Sequence, residues 1–131
     1  MFFLTRWIKN NRGQALVEFA LILPVLMLLV VGMMEFSLVI NQYMIVAEAA
    51  REGARSAAVG ASDATVTSVV KVAASQIDTG QLVVTVSPPT RNRGNPVTVT
   101  VTNPVQAVTL LMRPFFPAGF TVQGVTTMRM E

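Results

Sequence analysis

The sequence predicts an α+β protein in which a long apolar N-terminal helix crosses a membrane and continues into a small domain holding a short second helix and an antiparallel sheet. Three observations carry this. Sixteen residues, Phe19 to Met34, pass without a charge, and a bilayer-spanning helix needs about 20 mostly apolar residues. Beyond them apolar and small residues recur in steps of three and four as far as Ala58, the spacing of one helix face. Later the period changes to two, most strictly in VTVTVT, Val97 to Thr102. A chain of 131 residues leaves room for one small domain beyond an anchor, and its mean hydropathy of +0.55 fits an anchored protein. The expected division is a basic leader over 1–13, a membrane and projecting helix over 14–60, and a small domain over 61–131.

The leader carries Arg6, Lys9 and Arg12 and no acidic residue, which is a positive-inside signal. Phe2, Phe3, Leu4, Trp7 and Ile8 among those charges suit a segment lying on the inner leaflet, although a topology signal discarded on processing accounts for them as well. The net charge of +3 equals the contribution of these three residues, since seven basic and seven acidic residues follow Gly13. No basic face interleaved with aromatics remains, so nucleic acid is not an expected partner. The apolar run is too long for a secretory signal and ends at no small-residue cleavage site, so the helix should stay with the mature chain.

Counted from Gln14, the run reaches spanning length only with Glu18 near one membrane face and Glu35 near the other. A carboxylate at the bilayer centre costs roughly 2.5 to 3.5 kcal/mol and less near the interface, so Glu18 either snorkels outward or has a partner. Residues 14 and 18 lie one turn apart on one helix face; an amine freed on Gln14 would therefore meet the Glu18 carboxylate, which also sits in the first turn, where the helix dipole favours negative charge. Pro24 falls within the helix and predicts a local kink or softening that membrane helices tolerate.

Gly13 followed by Gln-Ala-Leu-Val-Glu-Phe resembles the prepilin peptidase site of type IV pilin-like proteins. Together, RGQALVEFALILPVL and AAREGARSAAV resemble the TadE-like minor pseudopilins of tight-adherence pilus systems, and the terminal VTTMRME is similar to a family strand. The likeness covers about the first half of the chain; between Ala61 and Pro117 only the general layout corresponds. One residue departs from the pattern of the major pilins, Phe19 standing where they tend to have tyrosine, and with the greater chain length this points to a minor component. The resemblance implies cleavage between Gly13 and Gln14, and it implies that Glu18, with Phe19 beside it, pairs with the N-terminal amine of a neighbouring subunit during assembly. It implies as partners the membrane, the peptidase, other pilins and pseudopilins, and the pilus assembly machinery. It also implies a single pass in a bacterial inner membrane, with the N-terminus cytoplasmic, the domain periplasmic and incorporation in a surface pilus as its outcome.

Past the membrane, Phe36, Ile40, Tyr43, Ala47, Ala50, Ala54 and Ala57 define one expected face. Over Gln14 to Ala58 the helix would be about 68 Å long at 1.5 Å per residue, roughly twice the hydrocarbon thickness. Glu48, Arg51, Glu52 and Arg55 form a solvated face with exposed ion pairs. Ala49, Gly53 and Ala57, and likewise Ala50, Ala54 and Ala58, repeat every four residues; these small side chains permit close approach, first to the chain's own sheet and otherwise to another helix. Gly60 marks the helix end.

Ser62 or Asp63 caps the second helix, whose stripe is Val66, Val69, Val70, Ala73 and Ile77. Gln81 to Ser87 reads as a strand, and TRNRGN, with Arg91 and Arg93, as a solvated loop. Pro96 opens the VTVTVT strand and Asn103 with Pro104 ends it. Val105 to Arg113 fits either a short helix or an irregular strand. Pro114 and Pro117 enclose an apolar loop with Phe115, Phe116 and Phe120, which either forms a contact surface or covers a thin core. Phe120 to Glu131, with Phe120, Val122, Met128 and Met130 on one face, reads as the last strand.

The chain has no cysteine and no histidine, which removes thiolate nucleophiles, disulfides, thiolate zinc sites and imidazole bases. There is no phosphate loop and no nucleotide fingerprint. The reading is therefore a non-enzyme without catalytic residues, metal, cofactor or small-molecule substrate. Its leading function is that of a processed minor pseudopilin; the alternative is an uncleaved membrane-tethered periplasmic binding or sensor module.

Overall fold

The computed structural model describes residues 11–131, with side chains from Gly13 onward; Met1 to Asn10 of the expected leader lie outside the described residues. The elements are α1 (Asn11–Ala58), α2 (Asp63–Ala73), β1 (Val83–Ser87), β2 (Pro96–Pro104) and β3 (Thr121–Arg129), with a 3-10 turn at Arg113–Phe115 between β2 and β3. The fold is α+β. The chain divides into two units, one ending at Met34 and one running from Glu35 to Glu131.

The first unit is the leading part of α1. Helix continues unbroken through Pro24, and none of the apolar window is buried against protein. Leu16, Phe19, Leu21, Ile22, Val25, Met27 and Leu29 are all at least half exposed. A helix apolar on every side, with nothing of its own chain covering it, is a candidate membrane span.

In the second unit the rest of α1 lies with α2 and a three-stranded antiparallel sheet of order β1-β2-β3. Val97, Val99 and Val101 of β2 are fully buried, each worth roughly 1.5–3 kcal/mol relative to exposure. Their partners in register are Met128, Thr126 and Gly124 of β3, while Val101 and Val99 also face Val84 and Val86 of β1. On the other face the Thr98 and Thr127 hydroxyls meet at 2.8 Å. The alternation thus sorts valine inward and threonine outward. β2 is longer than VTVTVT alone indicates. Asn103 continues the inward set and is buried, its amide donating to Gln42 Oε1 at 3.4 Å. β1 begins at Val83, two residues later than expected.

Gly60 ends α1 as foreseen, with φ 89°. Its N–H donates to Ala57 O, and the Ala61 N–H reaches back to Ser56 O at 3.2 Å, the paired bonds of a Schellman turn. The Ala58 carbonyl, otherwise an orphan of the last turn, accepts from Glu131 N–H at 3.0 Å. Ser62 is the cap of α2, accepting from Thr65 N–H at 3.3 Å. The stripe of α2 is Val66, Val70 and Ala74, with Val69, Ala73 and Ile77 only half-buried.

Two loops differ from expectation. Arg91 is not a solvated residue, because its guanidinium pairs with Asp63 in the first turn of α2 and is mostly buried; Arg93 does remain exposed. The 105–113 stretch forms neither strand nor α-helix. Successive turns carry it, with Met112 N–H donating to Thr109 O and Phe115 N–H to Met112 O, both at 3.0 Å. Phe116 and Phe120 pack edge to face, centroids 5.7 Å apart, while Phe115 points to solvent.

Candidate functional site

The residues singled out in the sequence fall into two groups, one in each unit. In the first, Gly13, Gln14, Glu18 and Phe19 are all exposed. A side chain built on Gly13 would meet nothing within 4 Å, so the fold itself makes no demand for glycine there. Gln14 and Glu18 are neighbours across one turn, Gln14 Nε2 donating to Glu18 Oε1 at 3.1 Å. The side chains of residues 14 and 18 are thus neighbours on one face of the helix.

In the second group, Ala50, Gly53, Ala54 and Ala57 are buried, as are Ala49 and Ala58, and Ala47 is half-buried. Arg51 and Arg55 face outward, Arg51 pairing with Glu48 at 3.3 Å. Contacts show why this surface is built of small residues. A Cβ on Gly53 would come within 2.5 Å of Val70 and 3.1 Å of Val99, so α2 and β2 both close on that one position.

The expected face needs correction at its other end. Phe36, Ile40 and Tyr43 are exposed, and the buried surface passes from Ala50 and Val46 through half-buried Gln42 and Val39 to Glu35. Apolar residues between Phe36 and Val46 fall on more than one side of α1, so hydrophobic spacing alone does not select the buried one. Close approach to β3 selects it. Gly124 lies so near the helix that a Cβ there would stand 2.7 Å from Val46 O and 2.8 Å from Ala47 Cα. Backbone meets backbone at that point, and only glycine permits it.

Glu35 was expected near a membrane face as an interruption of the apolar run. It is buried, with 3% of its surface exposed, and its carboxylate clasps the loop after β2. Val108 N–H donates to Oε2 at 3.2 Å and Thr109 N–H donates to Oε1. Charge-assisted bonds of this kind fix geometry firmly. No local signal reveals the clasp, since its partners lie 73 and 74 residues further along the chain.

Hollows elsewhere are shallow. One, of about 270 Å³, is lined by Gln42, Gln76, Asp78, Gln81, Asn103 and Gln106, and another lies beside Thr67, Ser68 and Lys71. Among the described residues no cluster of three or more acidic side chains could hold a metal ion. No curated protein and no solved structure matches the chain. The family model described as TadE-like protein does match, over residues 13–55; that stretch includes Gly13, the Gln14–Glu18 pair and the small face as far as Ala54, and over it the chain is similar to that family.

Proposed function

We propose that the protein is a minor pseudopilin of a tight-adherence type pilus, cleaved by a prepilin peptidase between Gly13 and Gln14, and taking part in the initiation or assembly of the filament. The single observation that carries the reading is the family match over residues 13–55, which begins at Gly13 and runs through Glu18. In this reading the unit up to Met34 is a single-pass inner-membrane helix with its N-terminus cytoplasmic, and the unit from Glu35 is periplasmic until assembly. Cleavage converts the Gln14 backbone nitrogen into an amine one turn from Glu18. That amine and that carboxylate neutralise each other within a subunit, or between an incoming subunit and one already in the filament. The proposed partners are the peptidase, other pilins and pseudopilins, and the assembly machinery. Binding would run along α1 and the sheet edges, without chemistry by the protein itself.

Intact-mass measurement of protein extracted from membranes tests the reading. The mature chain is expected to begin at Gln14, and Gly13→Leu to accumulate as uncut precursor in the membrane. Because nothing packs on Gly13, a processing defect in that variant belongs to recognition by the peptidase and not to misfolding. Retention of Met1 to Gly13 in cells with active peptidase would favour the uncleaved, membrane-tethered module instead.

A further inference from the structure

We infer that the loop after β2 is a membrane-seated foot, whose apolar side chains enter the outer interface of the same bilayer that α1 crosses. Among the described residues outside α1 eight large apolar side chains are exposed, and four of them, Val108, Leu110, Leu111 and Phe115, fall within eight consecutive residues. This loop is ordered by turns and pinned from within by buried Met112, so its apolar residues are held outward. In water such a cluster is unfavourable.

Its position identifies what covers it. The loop hydrogen-bonds through Val108 and Thr109 to Glu35, the first residue after the uncharged run. Gln14 to Met34 is about 32 Å of helix at 1.5 Å per residue, against a hydrocarbon core of about 30 Å. Glu35, and the loop it clasps, therefore arrive where hydrocarbon gives way to headgroups. The composition fits that depth. Val105 to Pro117 contains no acidic residue, Phe115 is an aromatic suited to the interface, and exposed Arg113 beside it can reach lipid phosphate. The clasp also explains why a carboxylate is tolerated there. With two backbone N–H donors, Glu35 needs no water to satisfy its charge.

The inference rests on the membrane-spanning reading of α1, and its test separates the two. The chain has no cysteine, so single-cysteine variants of the full chain take one environment-sensitive fluorophore each. Leu111→Cys reports the loop, Leu26→Cys the span, and Lys71→Cys, exposed on α2, the aqueous side. Each is reconstituted into phosphatidylcholine and phosphatidylglycerol vesicles with lipids carrying a quencher at a shallow or deep acyl position.

The Leu111 probe is expected to emit blue of the Lys71 probe and to lose emission to the shallow quencher, and the Leu26 probe to lose emission to the deep one. Adding Glu35→Gln, which replaces the charged acceptor by a neutral one, should weaken quenching at Leu111 and leave Leu26 unchanged. A Leu111 probe that behaves like Lys71 while Leu26 is quenched would overturn the foot and leave the span standing. No lipid quenching at either site would remove both. A Leu111 probe shielded from aqueous iodide but untouched by lipid quenchers, with shielding that grows with protein concentration, would assign the patch to a second copy of the chain and overturn the lipid proposal.

Discussion

The two parts of α1 make opposite use of side-chain size. Up to Met34 the large apolar residues are outside, with Leu16, Leu21 and Met33 about 70% exposed. Beyond Glu35 the residues turned inward are Ala49, Ala50, Gly53, Ala54, Ala57 and Ala58, with Val46 the largest apolar one fully buried. The first of these parts is a candidate membrane span; in lipid, bulk on every side is favourable, and nothing need be packed by the protein itself. Where a sheet and a second helix are the surroundings, bulk is excluded and distance between backbones decides. The second part is the more polar, carrying Glu35, Glu48, Arg51, Glu52 and Arg55, but along its packed surface it is small side-chain size that sets it apart.

The strongest way to break this contrast is at the point where backbones touch. In Gly124→Val the new Cβ would fall within 3 Å of the Val46 carbonyl and Ala47 Cα, atoms that no rotamer change can move. Overpacking typically costs about 1–3 kcal/mol and occasionally more, and the expected cost here is about 3 kcal/mol or above. In detergent the domain should lose its cooperative thermal transition by circular dichroism. The first unit has no packed core to lose, so the variant should still fractionate with membranes. Unchanged melting would mean that β3 can move away from α1, and that contact geometry does not set the face of the helix.

A smaller effect is expected on the helix itself. Ala54 is fully buried and Arg55, the next residue, is exposed. Ala54→Leu should cost about 1–3 kcal/mol by overpacking, while Arg55→Leu should stay within about 0.5 kcal/mol, as for other surface changes. Urea titrations of the two variants against the parent decide it. A larger loss from Arg55→Leu would place the working surface of the helix on its charged side.

How much of this could be read from the sequence depends on whether the determining contacts are local. The VTVTVT strand, the Gly60 stop and the Ser62 cap each follow from a few adjacent residues, and each is present. The N-terminal helix and its motif are legible for the same reason. Phe36, Ile40 and Tyr43 share a helical spacing yet lie on the exposed side, because apolar residues occur on more than one side of α1 there and the choice of side depends on Gly124, far along the chain. Glu35 looks like an interruption until Val108 and Thr109 are brought to it. The 105–113 stretch has no period because turns and one buried methionine hold it, not a ladder or a helical face. Arg91 belongs to the same class, since its partner Asp63 stands on another element.

The smallest effect on the fold and the most specific effect on function are expected at Glu18. It lies in the unit up to Met34, is exposed, and among the described residues hydrogen-bonds through its side chain to Gln14 one turn before it, so Glu18→Leu should leave the melting of the domain unchanged. Membrane integration should be at least as good, because a carboxylate near the interface still carries part of the roughly 3 kcal/mol that it costs at the bilayer centre and leucine does not. Cleavage at Gly13 should persist, since the bond to be cut lies a turn away. Assembly should fail. On the proposed processing, the amine released on Gln14 would have no carboxylate within a turn of it, and position 18 of a neighbouring subunit would offer none either; an unpaired charge in apolar surroundings is strongly unfavourable against the paired state. The readouts are membrane fraction, mature mass, and recovery of filaments or co-purifying pilus subunits from the same cells. Correctly cleaved Glu18→Leu protein that still builds normal filaments would reduce the carboxylate to an interfacial residue, and the pairing mechanism would have to be abandoned although the contrast between the two parts of α1 would stand.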